Sequence, residues 1–269
     1  MRGFLGSSGF AVCCIVAMGS ATLGAQVAFG APSEGGPDVL GIRLGMPLRE
    51  AFTILQTANP NKRLETDAQN FPSISKPVLD MFGLGFAPAN SVENIQVYVT
   101  PPPDHQVVYR VKRYLGMQKM SRGNVVSSLR EKYGQETYQT NYGGVQMWWI
   151  YDEQGKPGGL PSTSNSTEYE LESCVRTAPG NANAGWFGVG SIQNNLHSIE
   201  STPPWCVSSG IMVHATFDSA DVVTTLRVDM FNVPLAVREG KSEMAWLANL
   251  GRAQQQREIE DSKQSKPKL

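Results

Sequence analysis

The chain has 269 residues, of which 41% are hydrophobic and 17% are charged, and its formal net charge is −1. This composition is typical of a globular protein with a hydrophobic core, and it excludes a largely disordered chain and a membrane-embedded helix bundle. Because the chain has no excess of positive charge, nucleic acid and anionic membrane surfaces are not expected partners.

The first residues have the pattern of a secretory signal. Arg2 is the only charged residue before Glu34, and an apolar run covers residues 10–18. Small residues follow, and residues 28–31 (AFGA) fit the small-x-small pattern of a cleavage site. The apolar run is too short to span a bilayer stably. We therefore expect residues 1–30 to be a cleaved signal peptide and the mature protein to be periplasmic, without an integral membrane segment. An uncleaved anchor is the alternative.

Cleavage of the signal removes two of the four cysteines and leaves Cys174 and Cys206. In an oxidising compartment two remaining cysteines predict one disulfide. The bridge closes a loop of 206 − 174 = 32 residues, which corresponds to about 3–4 kcal/mol in the chain-entropy model. A redox pair is the alternative, but redox pairs usually have the C-x-x-C spacing, which is missing here.

The first predicted helix follows a glycine-rich stretch. Apolar residues recur with helical spacing from Leu48 to Leu55, and Pro47 suits the first turn, where its missing N–H costs nothing. Asn59 followed by Pro60 predicts the end of this helix. Alternating apolar residues then predict strands at residues 95–100 and 107–114.

A second helix is predicted between Ser121, a favourable N-cap, and Gly134, a favourable residue just beyond a helix end. The later elements are a strand at 145–151, a hairpin of strands at 206–217 and 222–231, and a helix that starts at Pro234.

The two helix starts resemble one another. Residues 46–55 align without gaps with residues 120–129, at an offset of 120 − 46 = 74. The Met and Leu columns are identical, and the apolar columns agree at Ala51/Val125 and Phe52/Val126. We therefore predict an α+β fold of two helix-plus-antiparallel-sheet repeats with a C-terminal helix. The predicted units are a first repeat at 38–115, a second repeat at 116–232 with a loop insertion at 153–205, a C-terminal helix at 233–251 and a disordered polar tail at 252–269.

The stretch GIRLGM at residues 41–46, followed by Glu50, resembles the start of a helix in small bacterial envelope domains of the SmpA/OmlA-like and beta-lactamase-inhibitor-protein-like families. The resemblance covers residues 38–152. It departs from the family pattern at Pro47, where Ser or Thr is usual, and at Asn124, where Glu is usual in the second copy. The resemblance implies a binding or assembly module with another envelope protein as its partner.

Motifs for common chemistries are missing from the sequence. There is no P-loop, no dinucleotide fingerprint, no G-x-S-x-G nucleophile and no H-E-x-x-H zinc motif. We expect no cofactor and no metal. The rival hypothesis is an envelope hydrolase in which His214 acts as a general base with Asp218 or Asp221, and the alternative for His214 is a hydrogen-bonded or solvent-facing strand residue.

Aromatic residues give the leading functional hypothesis. Trp148 and Trp149 are consecutive in a strand and must point to opposite faces of the sheet. With Tyr98 and Tyr151 they predict an aromatic, partner-binding sheet face on a non-catalytic protein, because Trp and Tyr are common anchors of protein interfaces. The alternative is that a loop and the C-terminal helix cover both faces. An inhibitor of a secreted enzyme is a further possibility.

A small cluster of basic residues accompanies the second strand. Arg110, Lys112 and Arg113 lie within residues 107–114, and we expect them on a solvated strand face, because such side chains are mostly exposed.

Overall fold

The computed structural model describes residues 37–70, 77–85, 93–116, 119–141, 143–151 and 209–264. The signal at 1–30, the insertion at 153–205, and Cys174 and Cys206 lie outside the described residues. The predictions made for them stay predictions.

The described chain is α+β, as predicted, and most of it is sheet. Its helices are α1 (Leu48–Ala58), α2 (Arg122–Tyr133) and α3 (Val233–Gln264). Its strands are β1 (Asp38–Val39), β2 (Ile42–Arg43), β3 (Glu65–Gln69), β4 (Val78–Leu84), β5 (Glu93–Val99), β6 (Val108–Gly116), β7 (Tyr138–Thr140), β8 (Val145–Tyr151), β9 (Ser209–Phe217) and β10 (Val223–Asn232). None of the helices in these ranges is both long and apolar enough to cross a membrane.

Eight of the strands form one antiparallel sheet in the order β3-β4-β5-β6-β10-β9-β8-β7, and β1 pairs with β2 in a separate small hairpin. The large sheet therefore consists of two four-stranded meanders, β3–β6 and β7–β10. They are joined by the pairing of β6 with β10, which brings together residues that are far apart in the sequence. Each meander is preceded in the chain by one helix.

The ends of the first two helices agree with the sequence. Helix α1 runs from the residue after Pro47 to the residue before Asn59. The Ser121 hydroxyl accepts a hydrogen bond from the Asn124 amide at 3.4 Å and caps α2. Gly134 follows α2 with a φ of 81°, which a residue without a Cβ adopts at little cost. Both predicted helices are confirmed.

The third helix is longer than predicted. Asn232 caps its start, because its side-chain oxygen accepts a hydrogen bond from the Leu235 amide at 2.9 Å. The helix then continues to Gln264, so the prediction of disorder is wrong for residues 252–264.

The physical reason for the extension is local. Residues 252–264 are rich in good helix formers, and the helix is supported by hydrogen bonds between side chains one turn apart. These bonds join Gln254 to Glu258 at 3.1 Å and Gln256 to Glu260 at 3.3 Å. The low hydrophobicity of residues 252–264 predicted disorder. These residues need no buried face, because they continue a helix whose first half packs against the sheet.

Helices α1 and α2 begin against the two sheet meanders through the same kind of contact. In each case the backbone amide of the first helical residue donates a hydrogen bond to a carbonyl oxygen in a hairpin loop. The strand that follows this loop donates a backbone hydrogen bond to the carbonyl oxygen of the residue two positions before the helix. The bonds are Leu48 N to Gln106 O at 2.9 Å and Val108 N to Met46 O at 2.8 Å for α1, and Arg122 N to Asp221 O at 3.1 Å and Val223 N to Met120 O at 2.8 Å for α2.

The two faces of the large sheet carry different layers. One face packs against α1 and α2 and holds the main hydrophobic core, which includes Leu55, Leu129, Val97, Val111 and Met230. The other face packs against the first half of α3, and the apolar cluster there is smaller. This second face holds the candidate site.

Candidate functional site

The strand register arranges the side chains of the α3 face into rows that run across the strands. The open row is Asn94, Tyr114, Arg227, His214, Gln146 and Thr140. The middle row is Gln96, Lys112, Asp229, Met212, Trp148 and Tyr138. The covered row is Tyr98, Arg110, Phe231, Gly210 and Ile150. Because side chains on alternate residues share a face, these three rows describe a continuous surface.

Helix α3 lies over the covered row and part of the middle row. Leu235 and Ala236 pack with Phe231, Met212 and Trp148 in one buried cluster. No residue of the open row belongs to this cluster. Within the described chain, α3 therefore packs on one end of the sheet face. At the other end Tyr114 and Arg227 are exposed, and the other four residues of the open row are half-buried.

A fully buried ion pair joins Arg110 of the covered row to Asp229 of the middle row. The Arg110 guanidinium donates to both carboxylate oxygens of Asp229, at 2.8 and 2.6 Å, and both side chains have no exposed surface. Burial by itself would raise the pKa of Asp229, but the adjacent Arg110 charge holds it below its usual value. The Arg227 guanidinium lies 3.5 Å from the same carboxylate. One carboxylate is therefore shared by two arginines.

The basic cluster that we expected on one solvated strand face is divided. Arg110 is buried against Asp229, and Arg113 lies on the opposite face, where it pairs with Glu93 at 2.7 Å. The expectation of a solvated face is therefore wrong for Arg110. The alternation of strand residues predicts faces, but it does not reveal that Asp229 from β10 lies beside Arg110.

Lys112 lies on β6 in the middle row, between Arg110 of the covered row and Tyr114 of the open row. Burial lowers its pKa to about 8, and the positive charge of Arg110 acts in the same direction. Its ammonium nitrogen lies 5.2 Å from the centroid of the Tyr98 ring, within the range of a cation–π contact. The site therefore holds an amine that titrates near neutral pH.

Tyr98 supports this amine from the neighbouring strand. Its hydroxyl donates to Gln96 Oε1 at 2.9 Å, and burial raises its pKa to about 12. The phenol is therefore neutral at physiological pH and serves as an aromatic and hydrogen-bonding surface.

A carboxyl group of α3 faces the covered side of the sheet. Glu243 has no exposed surface, and neither of its carboxyl oxygens has a hydrogen-bond partner among the described residues. Burial raises its pKa to about 8, with a further contribution from the negative charge of Asp80. At pH 7 the docked α3 therefore holds a protonated carboxyl group against the sheet.

The open row is polar and includes exposed groups. The Tyr114 side chain is 40% exposed, one of two exposed large hydrophobic residues in the described chain. The Arg227 side chain is 45% exposed, and none of the six residues is a carboxylate. This combination of an exposed tyrosine, an arginine and amides is typical of a surface that contacts another molecule.

The predicted aromatic surface is distributed over both faces, and its two indoles are buried. Trp148 is 1% exposed under α3 and Trp149 is 2% exposed on the other face, where its indole nitrogen donates to the Gly134 carbonyl at 2.9 Å. Tyr151 is half-buried and packs against the main core. None of the predicted partner-binding residues lies in the open row: Trp148 is in the middle row and Tyr98 is in the covered row.

The groups of the rival hydrolase hypothesis have other hydrogen-bond partners. His214 Nε2 lies 3.4 Å from the Gly143 carbonyl. Asp218 accepts hydrogen bonds from the backbone amides at positions 220 and 222, at 2.9 and 3.0 Å, and Asp221 pairs with Arg122 at 2.7 Å. The arrangement gives no support to a His–Asp dyad at this site.

Among the described residues, no group of three or more His, Cys, Asp or Glu side chains could hold a metal ion.

The comparisons with known proteins identify no relative. No family model, no curated protein and no solved structure matches this chain. The function is therefore argued from the site itself.

Sequence reasoning missed Tyr114 and Arg227 as site residues. The alternation in residues 107–114 places Lys112 and Tyr114 on one face, which is a usable signal. Arg227 joins them only because β10 pairs with β6, where Arg227 is opposite Tyr114. This pairing joins residues 227 − 114 = 113 positions apart, and local periodicity does not predict it.

Proposed function

We propose that the protein is a non-catalytic binding or assembly module of the bacterial cell envelope, and that its partner, another envelope protein, contacts the open row. The observation that carries the proposal is the polar strip across six strands, which lies outside the apolar cluster of the described residues and includes the exposed side chains of Tyr114 and Arg227. Tyrosine and arginine are the residue types enriched among the anchors of protein interfaces.

The dimensions of the open row support a macromolecular partner. Six adjacent strands give five interstrand spacings of about 4.8 Å, so the row is about 24 Å long. A row of this length is more than a small ion needs and is suitable for a loop or a short segment of another protein. The buried ion pair beneath it supports a rigid surface, because Arg110 and Asp229 hold two central strands together.

We also propose that the chain is a tandem duplication of one helix-plus-meander unit related to SmpA/OmlA-like domains. The support is the matching set of backbone bonds at the two helix starts. Their helix residues recur at the offset found in the sequence (122 − 48 = 74), and their strand residues recur at a second, constant offset (221 − 106 = 223 − 108 = 115). The sheet order, with the two meanders joined by the pairing of β6 with β10, has the arrangement expected of two such units.

The periplasmic location belongs to the same proposal. It is supported by the signal pattern of residues 1–30 and by the two cysteines that remain after its removal.

Site-specific photocrosslinking in the producing cells tests the binding surface. A photoreactive amino acid replaces Tyr114 in the open row, and the matched control replaces Ile259, which is 42% exposed on α3. We expect one discrete adduct from position 114 that is missing from position 259 and is lost when Arg227 is changed to Glu. Equal labelling from both positions, or no adduct at position 114, would refute the proposed surface.

A further inference from the structure

We infer that the first half of α3 is a releasable cover, which leaves the sheet when the Glu243 carboxyl group loses its proton and so exposes the Trp148 side of the sheet. The inference does not rest on the proposed function, because it concerns the covered end of the sheet face and not the open row. The packing of α3, the surroundings of Glu243 and the junction of α3 with β10 each support it.

The apolar contact between α3 and the sheet is confined to the first half of the helix. Leu235 and Ala236 are buried in the apolar cluster of this face, and Met244 and Leu247 pack against it while keeping some exposed surface. Beyond them, residues 251–263 are all exposed. A small apolar area therefore holds a long helix, and the stabilisation from burial is correspondingly small.

A carboxyl group lies within this contact. Glu243 is fully buried one turn before Leu247, and neither of its carboxyl oxygens has a hydrogen-bond partner in the part of the chain that the structure describes. A neutral carboxyl group can be buried in this way at a moderate cost. A carboxylate without a partner costs far more, because water no longer solvates its charge. The docking of α3 and the protonation of Glu243 are therefore coupled.

The groups around Glu243 favour its neutral form. Asp80 on β4 and the Tyr109 phenol on β6 interact with it electrostatically, and Glu239 lies one turn earlier on α3, where it pairs with Arg238 at 2.9 Å. Burial raises the pKa of Glu243 to about 8, and the negative charge of Asp80 acts in the same direction. None of the side chains of Asp80, Tyr109 and Glu239 offers a positive charge to an ionised Glu243.

A second polar group under α3 also opposes docking. Trp148 is 1% exposed, and its indole N–H has no hydrogen-bond partner within the described ranges. Burial of a donor without an acceptor is unfavourable at every pH, and release of α3 would return both Trp148 and Glu243 to water. The apolar contact therefore holds α3 against two opposing polar groups, and ionisation of one of them shifts the balance toward release.

The construction of α3 allows it to leave the sheet without unfolding. Its cap is local, because the Asn232 side-chain oxygen accepts a hydrogen bond from the Leu235 amide at 2.9 Å. Hydrogen bonds between side chains one turn apart support residues 254–260 away from the sheet. The Ser242 hydroxyl donates to Asp104 at 3.4 Å in an exposed contact that water can replace. A helix of 32 residues is also well above the length of about 12–15 residues below which isolated helices are marginal.

The direction of the pH dependence follows from the two states of Glu243. The docked carboxyl group has a pKa of about 8, whereas a released one returns to its ordinary pKa of 4.5, so the docked state keeps a proton that the released state gives up. Docking is therefore strongest below about pH 4.5 and weakens as the pH rises to about 8. Between pH 6 and pH 8 the ratio of docked to released helix should fall by about fiftyfold.

Pulsed electron paramagnetic resonance between two nitroxide labels measures the release in the full-length protein. An encoded ketone-bearing amino acid carries each label, so the native cysteines are left unchanged. The reporting pair replaces Ile259, exposed on α3, and Arg49, exposed on α1 at the other face of the sheet. The control pair replaces Arg49 and Ser127, which is exposed on α2. We expect one distance for the reporting pair at pH 6 and a second, broader distribution that grows up to pH 9, while the distance of the control pair stays constant.

Variants connect the release to Glu243. Glu243→Gln and Glu243→Met cannot ionise, so each should keep the single distance up to pH 9, and the second serves if the first fails to fold. Glu258→Gln, exposed on the same helix, is the matched control and should release α3 as the wild type does. Far-UV circular dichroism at each pH should show unchanged helix content, because α3 leaves the sheet as a helix.

Three results would overturn the inference. The first is a wild-type distance for the reporting pair that does not change between pH 6 and pH 9. The second is release of α3 by folded Glu243→Gln and Glu243→Met variants to the same extent as in the wild type. The third is a change in the control pair that accompanies the change in the reporting pair, because the whole sheet would then be unfolding.

Discussion

The two faces of the eight-stranded sheet differ in what they bury. The face under α1 and α2 buries aliphatic and aromatic side chains in one large core. The face under α3 buries a smaller apolar cluster together with Arg110, Asp229 and Glu243, and its other end is partly exposed in the described chain. Apolar packing dominates the first face, whose ion pairs Arg113–Glu93 and Lys132–Asp38 keep some exposed surface. The Arg110–Asp229 pair of the second face is fully buried, and burying charges reduces the stability gained there.

A single strand demonstrates the difference. Along β10, Leu226, Val228 and Met230 belong to the main core, whereas Arg227 and Asp229 point to the α3 face. Apolar residues of similar volume often stabilise as well as a buried ion pair, so stability alone does not account for the charges on the second face. The predictions below test this division.

The largest effect is expected from breaking the buried ion pair. Asp229→Ala leaves the Arg110 guanidinium buried without its carboxylate, which should lower the free energy of unfolding by about 3–5 kcal/mol. Urea denaturation at pH 7 measures this change.

The double variant Arg110→Met/Asp229→Leu is the matched control, because it removes both charges and keeps most of the buried volume. It should recover most of the lost stability. A cost below about 1 kcal/mol for Asp229→Ala would mean that the pair is not desolvated as described.

Cavities on the apolar face should have the next largest effect. Leu55 on α1 and Leu129 on α2 are 0% and 1% exposed and are 129 − 55 = 74 residues apart. We expect Leu55→Ala and Leu129→Ala each to lower the free energy of unfolding by about 2–4 kcal/mol, as measured by denaturant unfolding.

Similar losses in the free energy of unfolding for the two variants would support structural equivalence of the two halves of the chain. A loss at one position alone would contradict that equivalence. Ile259→Ala is the control, because Ile259 is 42% exposed on α3 and its truncation should change stability by less than about 0.5 kcal/mol.

The smallest effect concerns the docking of α3. The raised pKa of Glu243, about 8 against an ordinary 4.5, means that the folded protein keeps a proton that the unfolded chain releases. The stabilising contribution of Glu243 is therefore complete below about pH 4.5 and is lost as the pH rises through about 8. Glu243→Gln cannot ionise, so from pH 7 to pH 8 it should lose about 1 kcal/mol less stability than the wild type.

Urea denaturation at both pH values measures this difference. Glu258→Gln is the control, because Glu258 is exposed on the same helix and its loss should not alter the pH dependence. An identical pH dependence in wild type and Glu243→Gln would show that the carboxyl group does not titrate against the sheet.

Much of the fold could be predicted from the sequence, because its causes are local. Pro47, Ser121 and Gly134 define helix ends through backbone geometry and capping. Residues 145–151 were predicted as a strand from their composition, and they coincide with β8. The end of α3 was missed, because low hydrophobicity was taken as disorder although side-chain hydrogen bonds support the helix.

The candidate site could be predicted only in part. The sequence drew attention to Tyr98, which lies at the site, and to Trp148 and Trp149, which are buried on opposite faces. Alternation correctly separated the two indoles, as the pleat of any strand requires. It could not reveal that α3 covers the Trp148 side, because the docking of a helix depends on residues more than 80 positions away.

By itself the sequence determined the positions of α1 and α2, of the strands β5, β6, β8, β9 and β10, and the alternation of side chains along these strands, whereas β3, β4 and β7 were not predicted. Those properties depend on the backbone conformation of a few neighbouring residues. The tertiary structure decided which strands are neighbours, and so it placed Arg110 beside Asp229 and Tyr114 beside Arg227. The contacts of these four residues join positions more than 100 residues apart in the sequence, and only the pairing of β6 with β10 creates them.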